Sequence, residues 1–321
     1  FALGYLRLYK LKNDIGYLRK AEECLNWLID NATQTPSGLG WGLHFDWPSR
    51  VLIKRRTPCV TITAYSTEAL LTAYRITGQK KWLNFARETA KFVYYDLKRK
   101  RTATDFTAVS YTPLGYMFVV NANSYAARIL YDIDEFDDDI NYKKLASKIV
   151  QYVLSQQEEN GLWAYWDRGN NDNFADSIHT AFILENLYSI YLRDKSNALR
   201  DSLIKGFSFL RSNFIRDDYS CKYYYNRKMP SGIKVDIRSC AEIIYCCALL
   251  SDLFPEALKI AEKVALWTVR NMQDKEGFFY FRKYITHTSR IAYMRWAQAP
   301  MFNALTFLEQ ITDRIEKRQR L

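Results

Sequence analysis

Asp176 and His179 stand three residues apart in FADSIHTAFIL (174–184). On a helix that spacing puts both side chains on one face. There a carboxylate can fix the imidazole's tautomer and make it the better base for taking a proton. Asp at a helix start is also a routine cap for exposed backbone N–H groups, so the pair reads either as a proton-transfer unit or as a cap. Arg238 and Glu242 lie four apart in DIRSCAEII (236–244), within an otherwise apolar run. Two such charges are costly there unless they meet each other or a ligand, and an Arg so placed suits a substrate carboxylate. SRIAYMRWAQAPMF (289–302) repeats the theme with Arg290 and Arg295, followed by Trp296 to stack on a sugar ring and Gln298 to hydrogen-bond it.

Trp41, Trp47, Trp163, Trp166 and Tyr111 fall in loop-like stretches with Asp46, Asn121 and Asn123 nearby. Flat aromatics beside amides and carboxylates are what a saccharide subsite needs; packing of loops onto the fold is the alternative use. The three histidines, His44, His179 and His287, all fall in or beside such loops. Three scattered histidines do not specify zinc, and no HExxH, P-loop or GxGxxG pattern is present. DIDEFDDD (132–139) lacks the Gly of a calcium loop and reads as a solvated turn.

These residues need elements to hold them, and hydrophobic periodicity supplies the plan. Charged-faced amphipathic runs near 15–31, 80–98, 142–157, 196–213 and 255–272 alternate with nearly uncharged runs near 1–11, 63–77, 121–133, 177–193, 236–252 and 294–310. A helix apolar all round is a buried one, so the pattern predicts an outer ring of helices around an inner ring. The inner runs share a starting pair, one large residue and one small: Tyr65-Ser66, Asn123-Ser124, His179-Thr180, Arg238-Ser239 and Trp296-Ala297. Gly-aromatic turns precede several of them, in GLGWGLHFDW (38–47), NGLWAYW (160–166) and EGFFYF (276–281). The expectation is an all-α, single-domain (α/α)6 toroid over residues 1–321, a six-hairpin barrel whose last outer helix is a short one near 311–320.

Inner-to-outer connections are short and outer-to-inner ones long. Long loops in a compact domain are usually functional, and here they open on the face where the inner helices start. Helix N-termini converging on one cavity favour an anionic ligand. The basic clusters Lys54 to Arg56, Lys98 to Arg101 and Arg227-Lys228 lie in these loops, within a chain of net charge +11. No helix-turn-helix, zinc-finger or RNP-like pattern accompanies that charge, which argues against nucleic acid. Six cysteines without CxxC spacing, three of them in an apolar run, read as free thiols of a reducing, cytoplasmic setting. No apolar run is long enough to span a bilayer. The chain opens at Phe1 within a helical pattern, leaving a preceding segment open.

FADSIHTAFILENL (174–187) and YMRWAQAPMFNAL (293–305) resemble segments of a toroid family encoded in bacterial capsule and lipopolysaccharide biosynthesis clusters, whose label names no reaction. More broadly, the ring is similar to six-hairpin glycosidases, uronyl hydrolases, N-acyl-glucosamine epimerases and toroid-domain polysaccharide lyases. The resemblance to uronyl hydrolases implies an Asp general acid near an inner-helix start, matched here by Asp176. That to the lyases implies shared work by Asn, His, Tyr and Arg, matched by Asn123, His179, Tyr111 and Arg238. The Gly-aromatic turns are also similar to those of triterpene cyclases and prenyltransferase β-subunits, although no acid motif is suitably placed.

The expected function is action on an acidic, uronate-containing saccharide or glycoconjugate. Arg238 and Asn123 would neutralise the uronate, His179 or Tyr111 would take its C5 proton, and elimination or epimerisation would follow; hydrolysis would use Asp176. Substrate contacts are expected from Trp41, His44, Asp46, Tyr65, Asn123, Trp163, Trp166, Glu242, His287, Arg295, Trp296 and Gln298, with no metal or cofactor. A non-catalytic glycan-binding or assembly component and a terpenoid-cyclase-like ring are the alternatives.

Overall fold

In the computed structural model, which describes residues 1–101, 105–115, 117–137, 140–225 and 232–319, residues suited to stop one helix and start the next close the short connections. Helix α1 (Ala2–Lys12) ends at Asn13 in the left-handed region (φ 51), and Asp14 caps α2 (Ile15–Asp30) by accepting the Gly16 N–H at 2.8 Å. Gly78 (φ 69) ends α3 (Val60–Thr77) before α4 (Lys80–Lys91), which finishes in a π-helical turn, Phe92–Asp96. Asn141 caps α6 (Tyr142–Ser155) after α5 (Val120–Asp134). Lys195 (φ 55) ends α7 (Ser177–Asp194), and Ser196 caps α8 (Asn197–Phe214). A 3-10 turn, Leu250–Asp252, links α9 (Ile237–Leu249) to α10 (Pro255–Met272), whose proline sits in the first turn where its missing N–H costs least. A π-helical turn, Met294–Gln298, leads into α11 (Ala299–Gln319).

The inner helices α1, α3, α5, α7, α9 and α11 pack each against the next, and α11 returns to α1 to close the ring; α2, α4, α6, α8 and α10 lie outside, each on the inner helix before it. Burial follows: α9 buries Cys240, Ile243, Ile244, Cys246 and Cys247, whereas α2 buries only Ala21 and Leu25. The expected short last outer helix near 311–320 is not a separate element. No Gly or Pro follows Pro300, so nothing breaks α11 and it runs on as a single helix.

The long loops fold into small antiparallel hairpins at the inner-helix starts. These are β1 (Thr33–Gln34) with β2 (Leu39–Gly40), β3 (Trp47–Pro48) with β4 (Leu52–Ile53), and β5 (Arg99–Arg101) with β6 (Thr107–Val109). Strand β7 (Ile233–Asp236) pairs with β8 (Arg282–Tyr284), and β8 with β9 (Thr288–Ser289), so the loops before α9 and α11 share one sheet. Gly161 (φ 94) shows why glycine recurs in the turns: a Cβ there would collide with the Lys205 carbonyl of α8, so the loop lies directly on the outer helix.

All six cysteines are free thiols, five of them buried. Among the described residues no helix is long and apolar enough to cross a membrane. Arg227-Lys228 and the Asp138-Asp139 end of the acidic run lie outside the described residues. Asp132, from the same run, faces Arg193 at 2.5 Å on the short-connection side of the ring.

Candidate active site

Inner-helix residues three or four apart share a face, and these faces enclose a cavity of about 910 Å³ at the end where the helices start. Thr61 and Tyr65 of α3, Asn121 of α5, His179 and Phe182 of α7, and Arg238 and Glu242 of α9 line it. Tyr65, Phe182 and the buried Tyr125 meet at its base, with ring centroids 5.4 to 6.1 Å apart and the Tyr125 hydroxyl donating to that of Tyr65 at 3.1 Å. One turn further along the same faces the ring interior becomes charged. Arg128 meets Glu68 at 3.2 Å, and Tyr245 donates to Glu68 at 3.3 Å. Glu185, 4 % exposed, has an oxygen with no hydrogen-bond partner. Burial first, then the Glu242 and Glu68 carboxylates, push its carboxyl well above the usual range.

Asp176 both caps α7 and holds His179. Its Oδ1 accepts the His179 backbone N–H at 2.8 Å, while Oδ2 stands 2.6 Å from the imidazole Nδ1. The Asp176 side chain is fully covered and the His179 side chain about a quarter exposed. With Nδ1 taken by the carboxylate, Nε2 is the ring nitrogen left to exchange a proton. Both Asp176 oxygens are occupied, which suits it to positioning the imidazole rather than meeting substrate as an acid. Tyr165 stands edge-on to the imidazole with centroids 4.6 Å apart.

Arg238 Nε lies 3.5 Å from Glu242 Oε1, and its guanidinium sits 5.5 Å from the Phe182 ring centroid. Burial raises the Glu242 carboxyl against the opposing pull of Arg238 and the neighbouring His179. Arg295, on the π-helical turn before α11, also lines the cavity, with its guanidinium over the Phe45 ring. Among the described residues it has no carboxylate partner. Enclosure by the cavity walls, then repulsion from Arg238, pulls its guanidinium below the ordinary arginine range. Two guanidiniums near one another, one of them unpaired, favour an incoming anion.

The wall is largely aromatic. Trp47, Tyr111, Tyr165, Trp166, Phe174, Tyr223, Tyr224 and Trp296 all line it. The Arg50 guanidinium lies 3.9 Å from the Trp166 ring centroid, tying the loop before α3 to the loop before α7. Tyr111 hydrogen-bonds Thr61 at 2.7 Å, and burial pushes its phenol well above the usual tyrosine range. That environment keeps Tyr111 protonated and makes it a poor base.

The remaining sequence candidates lie outside this wall. Trp41 and Trp163 are buried, and each gives its indole N–H to the end of an outer helix, Trp41 to Leu28 O at 2.7 Å and Trp163 to Val153 O at 3.1 Å. Both carbonyls lie in the last turn of their helices, so these rings pack onto helix ends instead of facing a ligand. Asn123 is fully buried and pairs with a loop residue as a strand would: Val109 N–H donates to it at 2.7 Å and it donates to Val109 O at 3.1 Å. Gln298 does the same with Phe279, at 2.9 and 2.7 Å. Asp46 accepts from Lys54 and the Arg55 backbone within the β3–β4 hairpin. His44 packs on Trp27, and His287 stacks on Tyr284 at the exposed β8–β9 turn. Asp176, His179, Arg238, Tyr111, Tyr65, Trp47, Asn121, Trp166, Glu242, Arg295 and Trp296 are the candidates brought together.

No family model matches the chain, and no curated protein matches it in sequence. Solved structures do. A cellobiose 2-epimerase from Bacillus thermoamylovorans B4167 superposes with a TM-score of 0.72 at 14 % identity, over 97 % of this chain and 86 % of its own. An unsaturated glucuronyl hydrolase specific for heparin also gives 0.72 at 14 % identity, over 98 % and 85 %. A family 105 glycoside hydrolase from C. acetobutylicum ATCC 824 gives 0.67 at 12 % identity, over 96 % and 92 %. The fold is an (α/α)6 toroid. At these identities the likeness establishes the toroid, and the chemistry must be read from the bowl itself.

The sequence reading passed over Tyr165, Phe174, Phe182, Tyr223 and Tyr224, which line the toroid's bowl. The signal was present as aromatic-rich loop runs, WAYW (163–166) and KYYY (222–225), one before and one after the His179 segment. The small members of the repeated starting pairs, Ser66, Ser124, Thr180, Ser239 and Ala297, are all buried where helices pack.

Proposed function

We propose that this toroid is an enzyme acting on an acidic, uronate-containing saccharide in polysaccharide biosynthesis or modification. One observation carries the reading: a single bowl holds a carboxylate-positioned imidazole, Asp176–His179, together with two guanidiniums, Arg238 and Arg295. A uronate brings a carboxylate for the arginines and a C5–H beside it. Neutralising the carboxylate stabilises the negative charge that develops as that proton leaves, and His179 Nε2 takes it. Delivery of a proton to the other face, by a second acid or by water, gives an epimer, and loss of the group β to C5 gives an unsaturated product. Trp166, Trp296 and Tyr165 offer flat faces for the sugar rings. The structural neighbours, a cellobiose 2-epimerase and an unsaturated glucuronyl hydrolase among them, support a saccharide substrate. Free thiols support a reducing, cytoplasmic setting as part of the proposal.

A hydrolytic reading has one observation in its favour. Glu242 lines the bowl with a carboxyl that burial raises, which suits a general acid. Incubation with uronate-containing and neutral oligosaccharides, read by mass spectrometry, separates the reactions. An isomer or an unsaturated fragment supports proton abstraction, products heavier by one water support hydrolysis, and saccharide binding without product points to a binding protein. Turnover unaffected by either His179→Ala or Asp176→Asn would refute the assignment.

A further inference from the structure

The loops before α3 and α11 meet at one side of the mouth of the bowl, where the Arg295 guanidinium lies over Phe45. Large apolar side chains along these two loops face outward: Ile285 is 68 % exposed, Met294 62 %, Ile291 55 %, Leu52 51 % and Phe45 47 %. Isolated exposed apolar residues are ordinary, but a set this large in two adjoining loops marks an interaction surface. Cations are interleaved with them: Arg50, Arg55 and Arg56 around Leu52, and Lys283 and Arg290 around the others. Cations interleaved with apolar side chains in this way suit a surface of negative charge.

We infer that this edge docks on an anionic lipid bilayer, with the apolar side chains entering the headgroup layer and the cations among its charges. The mouth of the bowl then opens onto the headgroups. A second copy of the chain is disfavoured as the occupant, because two such edges would bring like charges together. A phosphate backbone would satisfy the cations but offer nothing to Ile285, Ile291 and Met294. The inference stands independently of the saccharide reading.

The test uses the whole chain in sedimentation with phosphatidylcholine vesicles, with and without phosphatidylglycerol. Binding is expected only to the anionic vesicles and weakens with added salt. Replacing Ile291 and Met294 together by Glu lowers the partition about tenfold or more, since two apolar side chains that would enter the headgroup layer are lost. Leu266→Glu with Val269→Glu, an exposed apolar pair on α10, leaves binding unchanged. Should the first double variant fail to fold by circular dichroism, Ile285→Glu on the β8–β9 turn carries the same test. The inference is overturned by absence of binding to anionic vesicles, by equal loss in the α10 control, or by a lipid-independent dimer that the 291/294 changes dissolve.

Discussion

Asp176 meets His179 twice, through the backbone N–H at 2.8 Å and through the imidazole Nδ1 at 2.6 Å. The capping bond fixes where the carboxylate sits, and the carboxylate fixes which way the imidazole faces. A helix cap and a carboxylate–imidazole pair are therefore one arrangement here.

Asp176→Asn separates the two roles. Asn caps helices about as well as Asp, so stability changes by less than about 1 kcal/mol. The neutral amide no longer holds the imidazole as the carboxylate does, and turnover of uronate-containing substrate falls roughly 10²–10⁴-fold. Asp176→Ala loses the cap as well, and thermal denaturation should show a lower Tm.

Arg295→Ala removes the unpaired guanidinium from the bowl. Loss of one charge-assisted hydrogen bond weakens binding of an acidic saccharide by about 1.5–3 kcal/mol. Calorimetry should show that loss for the uronate and little change for a neutral saccharide of the same length. Equal losses for both would remove Arg295 from carboxylate recognition.

Asn123 holds the β6 loop onto α5 through bonds to both the N–H and the carbonyl of Val109. Asn123→Asp keeps the acceptor but loses the amide donor and buries a carboxylate. Both this variant and Asn123→Ala should be destabilised by about 1–3 kcal/mol in denaturant unfolding.

Glu185 makes stability depend on pH. Its folded-state carboxyl is raised above its unfolded value, so the native chain holds a proton that the unfolded chain releases. The stabilisation is fully present below the ordinary glutamate range and is lost as pH rises toward the raised folded value. Glu185→Gln mimics the protonated acid. Melting curves across pH should show a higher Tm than wild type at neutral and alkaline pH, with the difference vanishing in acid.

The architecture was legible because each helical run carries its burial in its composition. CAEIIYCCALL (240–250) leaves no face for water, and KKWLNFARETAK (80–91) leaves one. The start of α7 was equally legible, since Asp176 and His179 are local partners whose meeting needs only a helix. The loop aromatics were not. Trp163 and Trp166 sit three residues apart in one turn, yet Trp163 turns inward to the Val153 carbonyl and Trp166 lines the bowl. That choice depends on the Val153 carbonyl at the end of α6, which the loop's own residues do not reveal. Gln298 was misread for a similar reason, because its amide answers the backbone of Phe279, far from it in sequence.

The central claim is that the imidazole of His179 moves the proton on the uronate carbon. Turnover of a uronate-containing oligosaccharide in D₂O, followed by mass spectrometry and NMR at C5, tests it directly. Loss or solvent exchange of the C5 hydrogen is expected with the wild-type chain, and neither with His179→Gln under the same conditions. Turnover with the C5 hydrogen fully retained, or exchange undiminished in His179→Gln, would contradict it.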